Sequence, residues 1–125
     1  MLVNTLPLLR EALAWCKERK DLDLDTETTG LEWYKADRPF SIIIGNEDKQ
    51  FYIDLSSFEA HDFRRIQVDL FDDESRTWGL MNAKFDLHML EKEGFELKGK
   101  IIDVWFLERL QNNRHQSYAM KNMAP

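Results

Sequence analysis

Residues 23–31 read DLDTETTGL, an alternation of acidic and apolar residues that runs into a Thr-Thr-Gly turn. Residues 22–25 suit a strand with an exposed end, because a charged run precedes them and Thr28-Thr29-Gly30 follows. Alternate side chains of an extended segment leave the same face, so Asp25 and Glu27 point the same way. Two carboxylates on one face can share a divalent metal. By itself an Asp-x-Glu pair is most often a solvated strand end, and further residues have to decide between the two readings.

Working outward, residues 40–44 and 50–55 are rich in Ile, Phe and Tyr, and Gly45-Asn46-Glu47-Asp48 separates them as a hairpin connection would. With the first strand they make a three-strand antiparallel start. Upstream, Leu6, Leu9, Leu13 and Trp15 recur at helical spacing, which predicts an opening helix over 5–19 with Thr5 as its cap and Pro7 in its first turn. Downstream, 56–71 reads as a surface helix, 77–81 as a strand, and 84–93 as a helix ended by Gly94. Residues 101–103 form a short buried strand and 104–110 a further helix. Strands first, then helix and strand in alternation, describe an α/β domain with a mixed sheet and helices on its faces.

The chain has 125 residues, 43% of them apolar, enough for one domain over 1–125 with a single core and too little for two. No repeat, low-complexity stretch or linker divides it. Its N-terminus soon carries Arg10, Glu11, Lys17, Glu18, Arg19 and Lys20, which fits neither a signal peptide nor a membrane span, so a cytoplasmic location is expected. Cys16 is the only cysteine, which excludes an internal disulfide, and its neighbours mark a packed helix position. The net charge of −6, from 23 acidic and 17 basic residues, is the wrong sign for a module that holds nucleic acid by charge neutralisation alone. It does not exclude a nuclease, whose carboxylates meet phosphate through cations.

The second informative stretch is residues 80–90, LMNAKFDLHML, where a strand end is followed by Asn82, Lys84 and then Asp86 in the first turn of an apolar-striped helix. A first-turn Asp alone is ordinary, since it favours the helix dipole. Together, DLDTETTGL and NAKFD resemble the first two motifs of the DEDD 3′-to-5′ exonucleases of the ribonuclease H-like superfamily, and most specifically the proofreading domains of family A DNA polymerases. IIDVWFLERL at 101–110 is similar to that family's strand with a terminal Asp followed by a helix. SYAMKNMAP at 117–125 is similar to the start of its next helix.

The resemblance implies a ribonuclease H-like mixed sheet flanked by helices, three antiparallel strands followed by parallel ones, incomplete at its C-terminal end. It implies that Asp25 bridges two divalent cations, Mg²⁺ or Mn²⁺, that Glu27 holds one and that Asp86 supports the other; oxygen ligands suit such hard ions. Glu27 and the backbone near Thr28 would meet the terminal 3′-hydroxyl, Leu31 would wedge between the last bases, and Asn82 would touch substrate. The implied substrate is a single-stranded or frayed DNA 3′ end, with a polymerase domain or subunit as partner, at a nucleoid or replication site in a cell or a phage-infected one.

One departure stands out. The family's third motif is Tyr-x-x-x-Asp or His-x-x-x-x-Asp, whereas here Tyr118 is followed four positions on by Asn122 and His115 five positions on by Met120, and no Asp follows Asp103. Two expectations result: a piece of a longer exonuclease or polymerase, or an incomplete exonuclease-like module that binds a strand end or a polymerase. Asp103 reads as a structural cap. Trp33 and Tyr34 could stack unpaired bases or pack. His61, His88 and His115 have no metal-ligand spacing and are given no role. Trp15, Trp78 and Trp105 read as core anchors.

Overall fold

The computed structural model describes residues 1–30 and 36–104. Thr5 is extended, its hydroxyl oxygen accepts from the Leu8 N–H at 3.4 Å, and α1 follows over Leu6–Lys17 with Pro7 in its first turn. Its buried stripe, Leu9, Ala12, Leu13 and Cys16, returns every three or four residues and packs on the sheet.

The first-motif strand, β2, runs Asp21–Thr28, three residues further than the sequence suggested. The neighbouring strand supplies the reason: pairing continues through Thr26 with Ile42, Glu27 with Ser41 and Thr28 with Pro39, with an irregularity between Glu27 and Thr28. Strand β3 (Pro39–Gly45) and strand β4 (Gln50–Asp54) form the expected hairpin, its turn held by Asn46 Oδ1, which accepts from the N–H groups of Asp48 and Lys49. A strand not foreseen, β1 (Leu2–Val3), pairs parallel with β4, and two residues are too few to leave a periodic signal.

Beyond the hairpin, the expected surface helix over 56–71 is broken into three pieces. The Asp54 carboxylate accepts from the Ser56 N–H and from the hydroxyls of Ser56 and Ser57, which fixes a tight turn at Leu55–Ser57. Only Ala60–Ile66 is α-helix (α2), and a wider turn spans Gln67–Phe71. This segment is also far from superficial on one side: Ile66, Leu70 and Phe71 are fully buried, and the Phe71 ring meets Trp78 and Phe95 edge-on with centroids 5.3 and 5.4 Å away.

The remaining elements fall within a residue of expectation: β5 (Thr77–Leu80), α3 (Ala83–Lys92) and β6 (Lys100–Asp103). Gly94, at φ 84°, stops α3 in the left-handed conformation that glycine adopts without strain. The sheet order is β1-β4-β3-β2-β5-β6: β4, β3 and β2 are antiparallel, and β2, β5 and β6 are parallel. This is the mixed α/β sheet expected. One core cluster joins α1, α2 and α3 to the inward side chains of β2 to β5, Trp78 at its centre and Trp15 at its margin. The helix expected over 104–110 and Trp105 lie outside the described residues, Val104 apart.

Arg76, directly before β5, is 2% exposed. Its guanidinium donates to the carbonyls of Cys16 (3.0 Å), Arg19 and Leu70 (3.4 Å) and faces the Asp73 carboxylate at 3.5 Å. It thereby closes the C-terminal end of α1, where a cation also suits the helix dipole.

Candidate active site

Strand alternation sorts β2 into two faces. Leu22, Leu24 and Thr26 are buried toward the helices, while Asp21, Asp23, Asp25 and Glu27 are exposed on the other side. Asp25 and Glu27 therefore share a face, as their spacing requires. Asp25 Oδ1 accepts from the Thr26 N–H at 2.8 Å.

The parallel strands bring the second motif to the same edge. Leu24 of β2 lies beside Leu80 of β5, which lies beside Asp103 of β6, so Asp25, the residues after Leu80 and Asp103 all sit at the carboxyl ends of adjacent strands. Such an edge is where open α/β sheets place ligand sites. From here α3 starts with Asn82 at its cap position; the Asn82 side chain makes no capping bond and is exposed. One turn on, Asp86 is turned inward and only 1% exposed.

Asp86 is held by the residue between the first-motif carboxylates. The Thr26 hydroxyl donates to Asp86 Oδ1 at 2.7 Å, across 60 positions of sequence. The other oxygen, Oδ2, is buried without a partner; among the described residues only Trp78 Nε1 shares that condition. Burial pushes the Asp86 carboxyl up to about 7, against the lowering effect of the Thr26 hydroxyl, and the charges of Asp25 and Asp103 push the same way as burial. A carboxyl that is desolvated, pressed by two like charges and short of one hydrogen bond either keeps its proton into the neutral range or is relieved by a nearby cation.

Beside Asp25, on the exposed face of the sheet, lies a cavity of about 330 Å³ lined by Asp23, Asp25, Ile43, Gly79 and Met81 among others. At Gly79 a Cβ would come within 2.6 Å of Asp23 Oδ1, so a larger residue there would have to turn the Asp23 carboxylate aside. Burial, and then Glu47, raise the Asp23 carboxyl above its ordinary range.

The structure thus brings Asp25 and Asp86 within electrostatic reach and puts Glu27 on the face of Asp25. The Thr28 hydroxyl donates to the Gly30 carbonyl at 2.6 Å. Leu31, Trp33, Tyr34, His115 and Tyr118 lie outside the described residues. Among the described residues no group of three or more His, Cys, Asp or Glu is gathered closely enough to hold a metal ion. The donor set nevertheless fits a hard divalent cation: the groups are oxygens, and a buried carboxylate oxygen without a partner stands among them.

Sequence reading gave no part to Thr26 and did not foresee that the Asp103 charge acts on Asp86. A hydroxyl on the buried face of a strand needs a partner, which was the available signal for Thr26. Asp103 ends β6, and only the strand order shows that its charge reaches Asp86.

Two phage proteins, both DNA polymerase DpoZ, are similar: that of Salmonella phage PMBT28 is 29% identical over 107 residues, covering 83% of this chain and 16% of the relative. That of Acinetobacter phage SH-Ab 15497 is 33% identical over 81 residues, covering 61% of this chain and 12% of the relative. The chain therefore spans less than a fifth of the length of these relatives. Among solved structures, Trypanosoma brucei RNase D superposes with a TM-score of 0.74 at 19% identity, covering 89% of this chain and 40% of its own. The EXO domain of Aedes aegypti Nibbler superposes at 0.70 and 15% identity, covering 94% and 56%; at such identities the likeness is one of fold. Residues 2–125, nearly the whole chain, match the 3′-5′ exonuclease family model, and the chain belongs to that family.

Proposed function

We propose that the chain removes nucleotides from the 3′ end of single-stranded or frayed DNA, with Asp25, Glu27 and Asp86 holding two divalent cations, Mg²⁺ or Mn²⁺. The observation that carries this reading is the buried Asp86 carboxylate with one partnerless oxygen, at the strand edge where Asp25 and Glu27 also emerge. When bound, such cations neutralise phosphate charge and lower the pKa of a water. The chain's own groups have separate duties. Asp25 and Glu27 supply carboxylates from one rigid strand, Asp86 supplies one from α3, the Thr28 backbone and Glu27 meet the terminal 3′-hydroxyl, Leu31 separates the last bases, and Asn82 contacts the strand with its exposed amide. DNA is favoured over RNA because the relatives similar in sequence are DNA polymerases, whereas RNase D shares only the fold. A polymerase domain or subunit is the natural partner on the same ground.

The second reading is a module that grips a strand end without cutting it; Asn122 stands four positions after Tyr118 and Met120 five after His115. Release of labelled mononucleotide from 3′-labelled single-stranded DNA and RNA, with Mg²⁺ or Mn²⁺, decides between them. Cleavage of DNA that disappears in Asp25→Ala/Glu27→Ala supports the first reading; the double variant should lose about a thousandfold, the several kcal/mol that metal charge stabilisation supplies. Cation-dependent binding without cleavage in either protein supports the second.

A further inference from the structure

We propose that Thr26 is a positioning residue for Asp86: its hydroxyl fixes the rotation of that carboxylate so that the free oxygen is presented to a divalent cation. The inference rests on the reading of Asp86 as a cation-holding group. Asp25 Oδ1 takes the Thr26 N–H at 2.8 Å, and Asp86 Oδ1 takes the Thr26 hydroxyl at 2.7 Å, so one residue orients two carboxylates that stand on different elements. Thr26 belongs to the buried face of β2 and is 8% exposed, so its hydroxyl has no competing water to serve.

The geometry sets what the bond can do. A carboxylate has two equivalent oxygens and a soft terminal torsion, and burial alone would let either one face inward. With one oxygen bonded to Thr26 the torsion is fixed, and the partnerless oxygen is held at one place. Thr26 stands opposite Ile42 within the β2–β3 ladder, so its side chain springs from a sheet strand and not from a loop. Partners that orient a metal ligand from behind are worth about tenfold to a hundredfold in metal affinity.

The experiment is titration of the 125-residue chain with Mn²⁺ alone, followed by calorimetry, on Thr26→Val, Thr26→Ser and Asp86→Asn, with circular dichroism confirming the fold of each. Val keeps the shape and loses the hydroxyl; Ser keeps the hydroxyl and loses a methyl; Thr26→Ala replaces the Val variant should that one not fold. The expected result is Mn²⁺ affinity lowered about tenfold or more in Thr26→Val, within about twofold of the parent in Thr26→Ser, and lowered in Asp86→Asn. Unchanged affinity in Thr26→Val alongside a loss in Asp86→Asn overturns the positioning role and leaves Asp86 as a cation holder. Unchanged affinity in Asp86→Asn overturns the reading of Asp86 itself, and the positioning role with it. Equal losses in Val and Ser would trace the effect to packing of the methyl and likewise overturn the inference.

Discussion

Two ionisable side chains are buried in this domain at opposite ends of β5, and they are treated in opposite ways. Arg76, just before the strand, is surrounded by acceptors: three carbonyls and the Asp73 carboxylate. Asp86, six residues after the strand, has a single hydroxyl, one oxygen without a partner, and the like charges of Asp25 and Asp103 pressing on it. A buried charge with its partners in place joins elements together; one without them costs stability when ionised, unless it takes up a proton or a counter-charge. The Arg76 end is therefore a satisfied joint between elements and the Asp86 end an unsatisfied one, a division that burial alone does not reveal, since both side chains are almost wholly inaccessible.

The largest effect expected on stability comes from the satisfied end. Arg76→Ala removes the donor shared by the Cys16, Arg19 and Leu70 carbonyls, of which Cys16 keeps the Arg19 N–H, and empties a buried guanidinium site, a loss of about 3–5 kcal/mol by the usual cost of breaking a buried charged network. Urea unfolding of the two proteins measures it. A loss under about 1 kcal/mol would mean that water replaces the guanidinium and that the two ends are not so different.

At the other end the sign reverses. The Asp86 carboxyl is held at about 7 in the folded chain against 3.8 for the ordinary group, so between those values the unfolded chain releases a proton that the folded chain keeps. Stability attributable to Asp86 is undiminished below pH 4, falls as pH rises from about 4 to about 7, and is level above that, with a total change on the order of a few kcal/mol. Asp54, Asp72 and Asp73, all lowered by hydrogen bonds, pull in the opposite direction, so the wild-type profile mixes both contributions. Asp86→Asn isolates the difference: without divalent cation it should match the wild type near pH 3.5 and be the more stable protein at pH 8. An Asn variant that is less stable at pH 8 would show that the carboxylate is compensated and would erase the contrast with Arg76.

How far this contrast could be read in the sequence depends on how local each cause is. The Asp25–Glu27 pair was legible because strand alternation fixes its geometry over three residues, and Gly94 marked the end of α3 for an equally local reason. The inward turn of Asp86 was not, since a first-turn Asp is ordinarily solvated and its partner Thr26 lies 60 residues away. Arg76 was equally opaque: its acceptors Cys16 and Arg19 are 60 and 57 residues distant. The break at Leu55–Ser57 was misread because a side chain, Asp54, captures the donors there and outweighs the apolar spacing that suggested one helix. Local periodicity placed the elements, and tertiary hydrogen bonds decided which charges are structural and which are left for chemistry.

The smallest effect tests whether the Arg76 end is special because of its charge or merely because it caps a helix. The same helix, α1, is closed at its other end by a neutral group, the Thr5 hydroxyl oxygen accepting from the Leu8 N–H at a long 3.4 Å. Thr5 is exposed, so water can satisfy the N–H if the hydroxyl is removed, and no buried polar atom is stranded. Thr5→Ala should therefore cost about 1 kcal/mol or less, the ordinary value of an N-cap, with the same denaturant slope as the parent. Set beside Arg76→Ala in one series of urea curves, a several-fold gap between the two ends of α1 would assign the excess to desolvated charge. Comparable losses would reduce Arg76 to an ordinary cap, leaving Asp86 the one side chain at either end of β5 whose burial demands a partner from outside the chain.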